Sequence, residues 1–487
     1  MFIGVFNVMV FSSVLFLFYF LIPTIFIYAV VPGQWKNFTL FVLSLVFYAW
    51  GEPTYITLML FSAIFNYGMG FVLDKSKSKG AMAFTVAVNI GLLFIFKYSD
   101  FFISSVNSVI RTNIPLLKLA LPVGISFYTF QALSYCIDVY RGKTKLQRSF
   151  VSFGLYLTFF PQLIAGPIVR YDDIAEQLPY HPQKIHMFSE GLYRFCAGLA
   201  KKVLIANNVG KLWDITNGGG HISMLSAWLG IAAYTFQIYY DFSGYSDMAI
   251  GLGKMFGFEF CENFNYPYIS KSITEFWRRW HISLSSWFKE YVYIPLGGSR
   301  VYAENYEGKK PFLGIKLSNE KRAVIRRYTN LLIVWLLTGM WHGASFNFLA
   351  WGLYYGMLLI IEKRFIGEKI DKWPSFVKHI YSMVIVMIGW VLFASENFTA
   401  AFAYIGHMFN VTDFGITDNL FLYRLFSYAI IFICAIIGAT PGPKKFFNNL
   451  TKGKLFWLKP LLSFIIMFVC IAYLVDDTYN PFLYFRF

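Results

Sequence analysis

Two of the seven histidines stand where an imidazole is hard to explain by packing alone. His342 occupies Trp341-His342-Gly343, inside an apolar run over 329–361. That run is too long for one upright membrane span and too short for two. An imidazole at such depth must be hydrogen-bonded, desolvated or turned toward a cavity. Neutral imidazole is the side chain best suited to abstract a hydroxyl proton near neutral pH, which makes His342 the candidate general base. No acid occurs between Glu320 and Glu362, so a buried carboxylate partner must come from elsewhere. His281 is the second candidate. It follows a capping-box pattern, Ser272-Ile273-Thr274-Glu275, that should start a helix. Phe276, Trp280, Leu284, Trp287 and Tyr291 then recur at helical spacing and predict one amphipathic interfacial helix, with Arg278, Arg279, Lys289 and Glu290 off the stripe. An interface anchor accounts for those residues but not for His281. Further upstream, 239–247 packs Asp241, Ser243, Tyr245 and Asp247 near the end of a span, where polar groups usually face a cavity or a partner. Asp241, Ser243, Tyr245, Arg278, Arg279 and Trp341 are candidates for lining a site. Cys136, Cys196, Cys261, Cys434 and Cys470 lack metal-type spacing, so neither a metal nor a disulfide is expected.

These residues must be positioned by membrane helices. Of the 487 residues, 57% are hydrophobic and only 14% charged, well below the roughly 25% of soluble proteins. The net charge of +16 does not point to nucleic acid, because the Lys and Arg residues cluster between apolar runs, as cytoplasmic loops facing anionic lipid do. Candidate spans are 8–31, 38–50, 54–73, 81–103, 117–140, 189–210, 224–250, 378–396, 421–440 and 455–475. Residues 150–168 contain Pro161, Gly166 and Pro167 and read as a re-entrant or broken helix. With basic loops at 75–79, 141–148, 297–328, 363–378 and 444–454 placed inside, both termini lie outside, provided that 329–361 bends back. The expected protein is all-α and polytopic, a single domain over 1–487 with about ten to twelve membrane helices, re-entrant segments included. Neither a dinucleotide fingerprint nor a phosphate-binding loop is present.

The chain resembles the membrane-bound O-acyltransferase family, in its branch of alginate, peptidoglycan and related polysaccharide O-acetyltransferases. The matching blocks are LPVGISFYTFQALSYCIDVYRG (121–142), FPQLIAGPIVR (160–170), YYDFSGYSDMAIGLGKMFGF (239–258), ENFNYPYISKSITEFWRRWHISLSSWFKEYVYIPLGGSR (262–300), TGMWHGASFNFLAWGLYYG (338–356) and NPFLYFRF (480–487). The resemblance implies a ring of tilted helices around a thinned centre, with a tunnel from the cytoplasm meeting an outer funnel at the catalytic histidine. His342 matches that histidine, and His281 matches the family's second one. It also implies a cytoplasmic acyl thioester such as acetyl-CoA as donor, with no bound cofactor. The final acceptor is then a polysaccharide, served by a separate extracellular acyltransferase of serine-esterase type, and the setting is a bacterial plasma membrane.

Two other readings compete. A teichoic-acid D-alanyltransferase shares both histidine blocks but takes its acyl group from a carrier protein. A lipid or precursor transporter shares the spans and broken helices without acyl chemistry. The tail 480–487 resembles the terminal tyrosine motif of the small subunit in D-alanylation systems. On that likeness Tyr484 becomes a candidate acyl-accepting nucleophile, its phenol of pKa near 10 requiring a base such as His342. A lipid-interface anchor is the plainer reading of the tail.

Overall fold

The computed structural model describes residues 9–164, 166–179, 181–182, 184–217, 222–298, 319–409, 415–451, 455, 457–476 and 482–483. Tyr484 lies outside the described residues. Among those described the chain is all-helical, with no strand. Ile56–Ser76, Lys79–Ile110, Ser375–Ala394, Phe421–Gly438 and Leu458–Asp476 are each long and apolar enough to cross a membrane, and Leu15–Val30 is a shorter apolar helix. The five cysteines are free thiols. Contacts divide the chain into two units, one of 1–212, 236–263 and 428–486, the other of 213–235 and 264–427.

In the first unit the expected break at 150–168 is present. The helix Phe150–Thr158 stops, and Phe160–Leu163 restarts at Pro161. Water cannot serve broken backbone in an apolar surrounding, so side chains do. Phe160 N–H donates to Ser44 Oγ at 3.2 Å, and the Gln162 amide donates to the Tyr156 carbonyl. The span expected at 117–140 is shorter than its apolar run. Residues 111–124 are not helical, and Ile125–Arg141 begins only after Gly124, whose φ of +76° ends the irregular stretch. Pro115 and Pro122, within two residues of apolar neighbours, explain why composition misled there. Helix crossings rest on small residues. A Cβ on Gly198 would lie 2.5 Å from the Gly244 carbonyl, so Ile185–Ala200 and Met224–Met255 meet backbone to backbone.

In the second unit the apolar run 329–361 is a helical hairpin. Asn319–His342 and Phe346–Ile361 are separated by three residues, and the break falls directly after His342. The first helix starts ten residues before the apolar run, at a Lys- and Arg-rich turn, which is how 329–361 accommodates two helices. The two pack tightly because Gly339 and Gly352 face backbone. A Cβ on Gly339 would sit 2.2 Å from the Phe348 carbonyl, and one on Gly352 2.3 Å from the Trp335 carbonyl.

The amphipathic helix expected over 272–291 is corrected by the structure. It is two short helices, Ile273–Arg279 and Ile282–Phe288, broken at Trp280 and His281. The stripe is not lipid-facing, since Phe276, Trp280, Leu284, Trp287 and Tyr291 are all buried. Its partners include Trp390, 4.9 Å from the Trp280 ring.

Candidate active site

Three elements of the second unit converge on one cavity of about 610 Å³. From Asn319–His342 come Leu331, Val334, Trp335, Thr338 and His342, one helical face running over eleven residues, about 16 Å at 1.5 Å per residue. The broken segment 272–293 contributes Trp277, Arg278, His281 and Lys289. Glu362, Lys363 and Asp371 follow the second hairpin helix. Because the hairpin helices are antiparallel, those last three residues lie at the end of the cavity remote from His342. Glu362, Lys363 and Asp371 are thus separated from His342 by about the length of the Leu331–His342 face.

His342 closes its helix with its imidazole buried. Trp351 and Phe393 stand edge-on to the ring at 5.1 and 5.2 Å, and Trp341 at 5.0 Å. Three aromatic walls leave the imidazole little rotational freedom, which is the preorganisation a proton-transfer group requires. Trp341 also packs 5.8 Å from the His281 ring. It therefore supports both histidines, although it is not among the residues lining the cavity.

His281 sits in a left-handed conformation, φ +45° and ψ 56°. That conformation costs a non-glycine residue about 1–2 kcal/mol, and such cost concentrates at functional positions. The surroundings hold it in place. The His281 carbonyl accepts from Ser285 N–H at 3.1 Å, while Trp280 N–H closes the preceding helix on the Phe276 carbonyl at 2.9 Å. Ser272 caps that helix through Glu275 N–H at 3.0 Å, as its spacing predicts, but Glu275 reaches back to Lys271 N–H rather than to Ser272. The decisive clamp is Glu362. Buried to 4% exposure, its carboxylate takes the N–H groups of Ile273 and Thr274 at 2.8 Å each, and the Thr274 hydroxyl. A buried anion at a helix start is favourable and fixes the segment that carries His281 to the hairpin that carries His342. Sequence reading missed this role. Its one signal was that Glu362 is the first acid after a long apolar stretch.

The two arginines separate. Arg278 is exposed and lines the cavity. Arg279 pairs with Glu275 at 2.9 Å and donates to the Asn265 carbonyl at 3.0 Å, so it braces the loop before the helix. Asp241, Ser243 and Tyr245 belong to the first unit, on Met224–Met255, and are buried there. Asp241 pairs with Lys202 and accepts from Leu483 N–H at 2.9 Å.

His281 lies between helices, and burial holds its imidazole down at about 3 against an ordinary 6.5. It is therefore neutral throughout the neutral range. The unfolded chain protonates first as pH falls through 6.5, so the fold loses stability from there down toward pH 3, about 2 kcal/mol by pH 5. His281→Asn, which tolerates the left-handed backbone, is expected to flatten this loss in a comparison of melting temperature at pH 8 and pH 5. Equal acid sensitivity in both proteins would show that His281 titrates normally.

The arrangement can do acyl chemistry. A neutral imidazole can take a hydroxyl proton in a largely apolar cavity, while cations that line it hold an anionic group. Comparison with known proteins agrees. Residues 2–305 match the model of the membrane-bound O-acyltransferase family, a match that includes His281 and ends before His342. The chain is 38% identical to the probable alginate O-acetylase AlgI of Azotobacter vinelandii, over 91% of this chain and 87% of that protein. It is 29% identical to the peptidoglycan O-acetyltransferase of Helicobacter pylori, over 99% and 98%. To the teichoic acid D-alanyltransferase of Bacillus subtilis it is 28% identical, over 57% of this chain and 69% of that one.

Proposed function

Because this chain belongs to the membrane-bound O-acyltransferase family, we propose that it carries acetyl groups from a cytoplasmic thioester across the membrane for O-acetylation of an extracellular or cell-wall polysaccharide. It is a multi-pass membrane enzyme, an O-acyltransferase. The donor in this reading is acetyl-CoA, entering the cavity from the cytoplasm. The setting is a bacterial plasma membrane with both termini outside. The partner is an extracellular acyltransferase of serine-esterase type that completes transfer to the polymer.

One observation supports this most: His281 and His342 border a single cavity that Arg278, Lys289 and Lys363 also line. Acetyl-CoA is polyanionic at its nucleotide and neutral along its pantetheine arm. The cations suit the first and the apolar Leu331–His342 face suits the second. His342 then acts as general base. It takes the proton of the accepting hydroxyl as that oxygen attacks the thioester carbonyl. The C–S bond breaks, the new ester forms, and the proton passes from the imidazolium to the departing thiolate. His281 lines the cavity that takes the donor. Tyr484 is proposed as an intermediate acceptor, a phenol that His342 activates and whose ester passes the acetyl group onward.

Labelled acetyl-CoA and a D-alanyl carrier protein, each offered to the purified enzyme in proteoliposomes, discriminate the readings. Acyl transfer from acetyl-CoA alone is expected. Transfer from the carrier alone would establish the alanylation reading, and transfer from neither would favour a transporter. In the same preparation Arg278→Ala should raise the donor KM about tenfold and flatten its salt dependence, because a hydrogen-bonded charge contact is worth roughly 1.5 kcal/mol. Arg279→Ala should lower the melting temperature and leave that KM alone. The reverse pattern would move the donor site. Mass spectrometry of the terminal peptide is expected to find an acetyl adduct in the native enzyme and none in Tyr484→Phe or His342→Ala. A persisting adduct in Tyr484→Phe removes the tyrosine from the route.

A further inference from the structure

The first unit holds a buried charge pair that the proposed chemistry does not use. Lys202, in the π-helical turn Lys201–Ala206, and Asp241, midway along Met224–Met255, are each 2% exposed, with Nζ and Oδ1 2.5 Å apart. The neighbouring Lys201 is committed elsewhere, to Asp247 at 2.6 Å. Desolvation offsets most of the attraction in such a pair, so it is a weak device for stability. Ionisable groups at membrane depth are retained for a task. The task is legible in the other carboxylate oxygen. Asp241 Oδ2 accepts the backbone N–H of Leu483 at 2.9 Å. Beside it Tyr245 forms an aromatic slot, stacked on Phe482 at 4.5 Å and on Phe11 at 4.5 Å. Phe482 and Leu483 are both buried. Two residues near the end of the chain are thus gripped once through the main chain and once through a ring.

We propose that Lys202, Asp241 and Tyr245 form a latch for the chain's own C-terminal tail, and that they are positioning residues for acyl delivery. Lys202 orients Asp241 at a buried site, and its carboxylate captures a main-chain amide that, proline apart, no side-chain change in the tail removes. Tyr245 sets the register by admitting one aromatic ring. The latch stands on this geometry alone, while its consequence for acetylation rests on the proposed role of the tail.

Carboxypeptidase digestion of the purified full-length enzyme, followed by intact mass, reads the latch directly. Trimming of the native protein should stall with Leu483 retained. Removing both charges together, Lys202→Met with Asp241→Leu, and separately Phe482→Ala, should speed trimming past Leu483 about tenfold or more, because cleavage follows the open population. Phe482→Ala lies in the tail and leaves every span intact, so it decides the matter if the double variant does not fold. Native-like resistance in Phe482→Ala overturns the latch. Polymer acetylation, measured in parallel, should fall in kcat with the donor KM unchanged. Faster trimming with unchanged acetylation would keep the latch and discard the tail's part in delivery.

Discussion

His342→Ala is expected to insert, purify and bind donor as the native enzyme does, and to lose acyl transfer by roughly 10²- to 10⁴-fold, the usual contribution of a positioned general base. The magnitude rests on position. The imidazole ends the helix Asn319–His342 and meets the three-residue break of the hairpin, so its removal interrupts no intrahelical ladder. Its ring neighbours Trp351 and Phe393 also pack on one another and on Trp390, and Trp341 packs on His281, which limits the collapse a truncation can cause. Some packing is lost all the same, and His342→Gln controls for that by keeping volume and polarity without a base of suitable strength. Both variants should give native elution in detergent and native donor KM, with the loss confined to kcat. Initial rates of label transfer from acetyl-CoA are the measurement. Near-native turnover in either variant would remove His342 from the chemistry.

The helix break at His342 was legible because the histidine violates its surroundings. A histidine between two glycines, in an apolar run of the wrong length, announces a helix break, and the hairpin break falls there. The prolines of 150–168 were similarly readable. His281 was harder. The apolar stripe from Phe276 to Tyr291 keeps helical period straight through it, so periodicity predicts one helix where the backbone makes two. Nothing in residue type marks a left-handed histidine, which is held by contacts remote in sequence. Glu362 is the clearest of these, meeting Ile273 across 89 positions. Arg278 and Arg279 were inseparable for a simpler reason: adjacent residues of one type differ only in which way the helix points them. The aromatic stripe was misplaced at an interface because amphipathicity cannot distinguish lipid from a wall of tryptophans.

Gly339→Ala is expected to disable the enzyme almost as thoroughly as loss of the base, although glycine to alanine within a helix ordinarily stabilises by about 0.5–1 kcal/mol. The added methyl would lie 2.2 Å from the Phe348 carbonyl oxygen and 3.0 Å from its carbon, both backbone atoms that cannot swing aside. Gly352→Ala strikes the same crossing from the other helix, 2.3 Å from the Trp335 carbonyl. Lipid supplies no hydrophobic drive to force two helices together, so their close fit is itself the stabilising term. Relieving either clash must part the hairpin by about 1 Å, and overpacking of this kind costs roughly 1–3 kcal/mol. The functional penalty should exceed the stability penalty. Gly339 stands three residues before His342 and beside Thr338, so the displacement falls on the imidazole and on the cavity wall together. A misplacement of about 1 Å at a reacting group is enough for a hundredfold loss of rate. Gly68→Ala supplies the contrast, since Gly68 lies in Ile56–Ser76 with nothing within 4 Å of an added methyl, and should keep full activity with an unchanged or higher melting temperature. The two hairpin variants should instead melt several degrees lower and turn over about a hundredfold more slowly, with the pair in one chain costing less than the sum because they relieve one crossing. Full activity in Gly339→Ala would mean that the hairpin does not fix the position of His342.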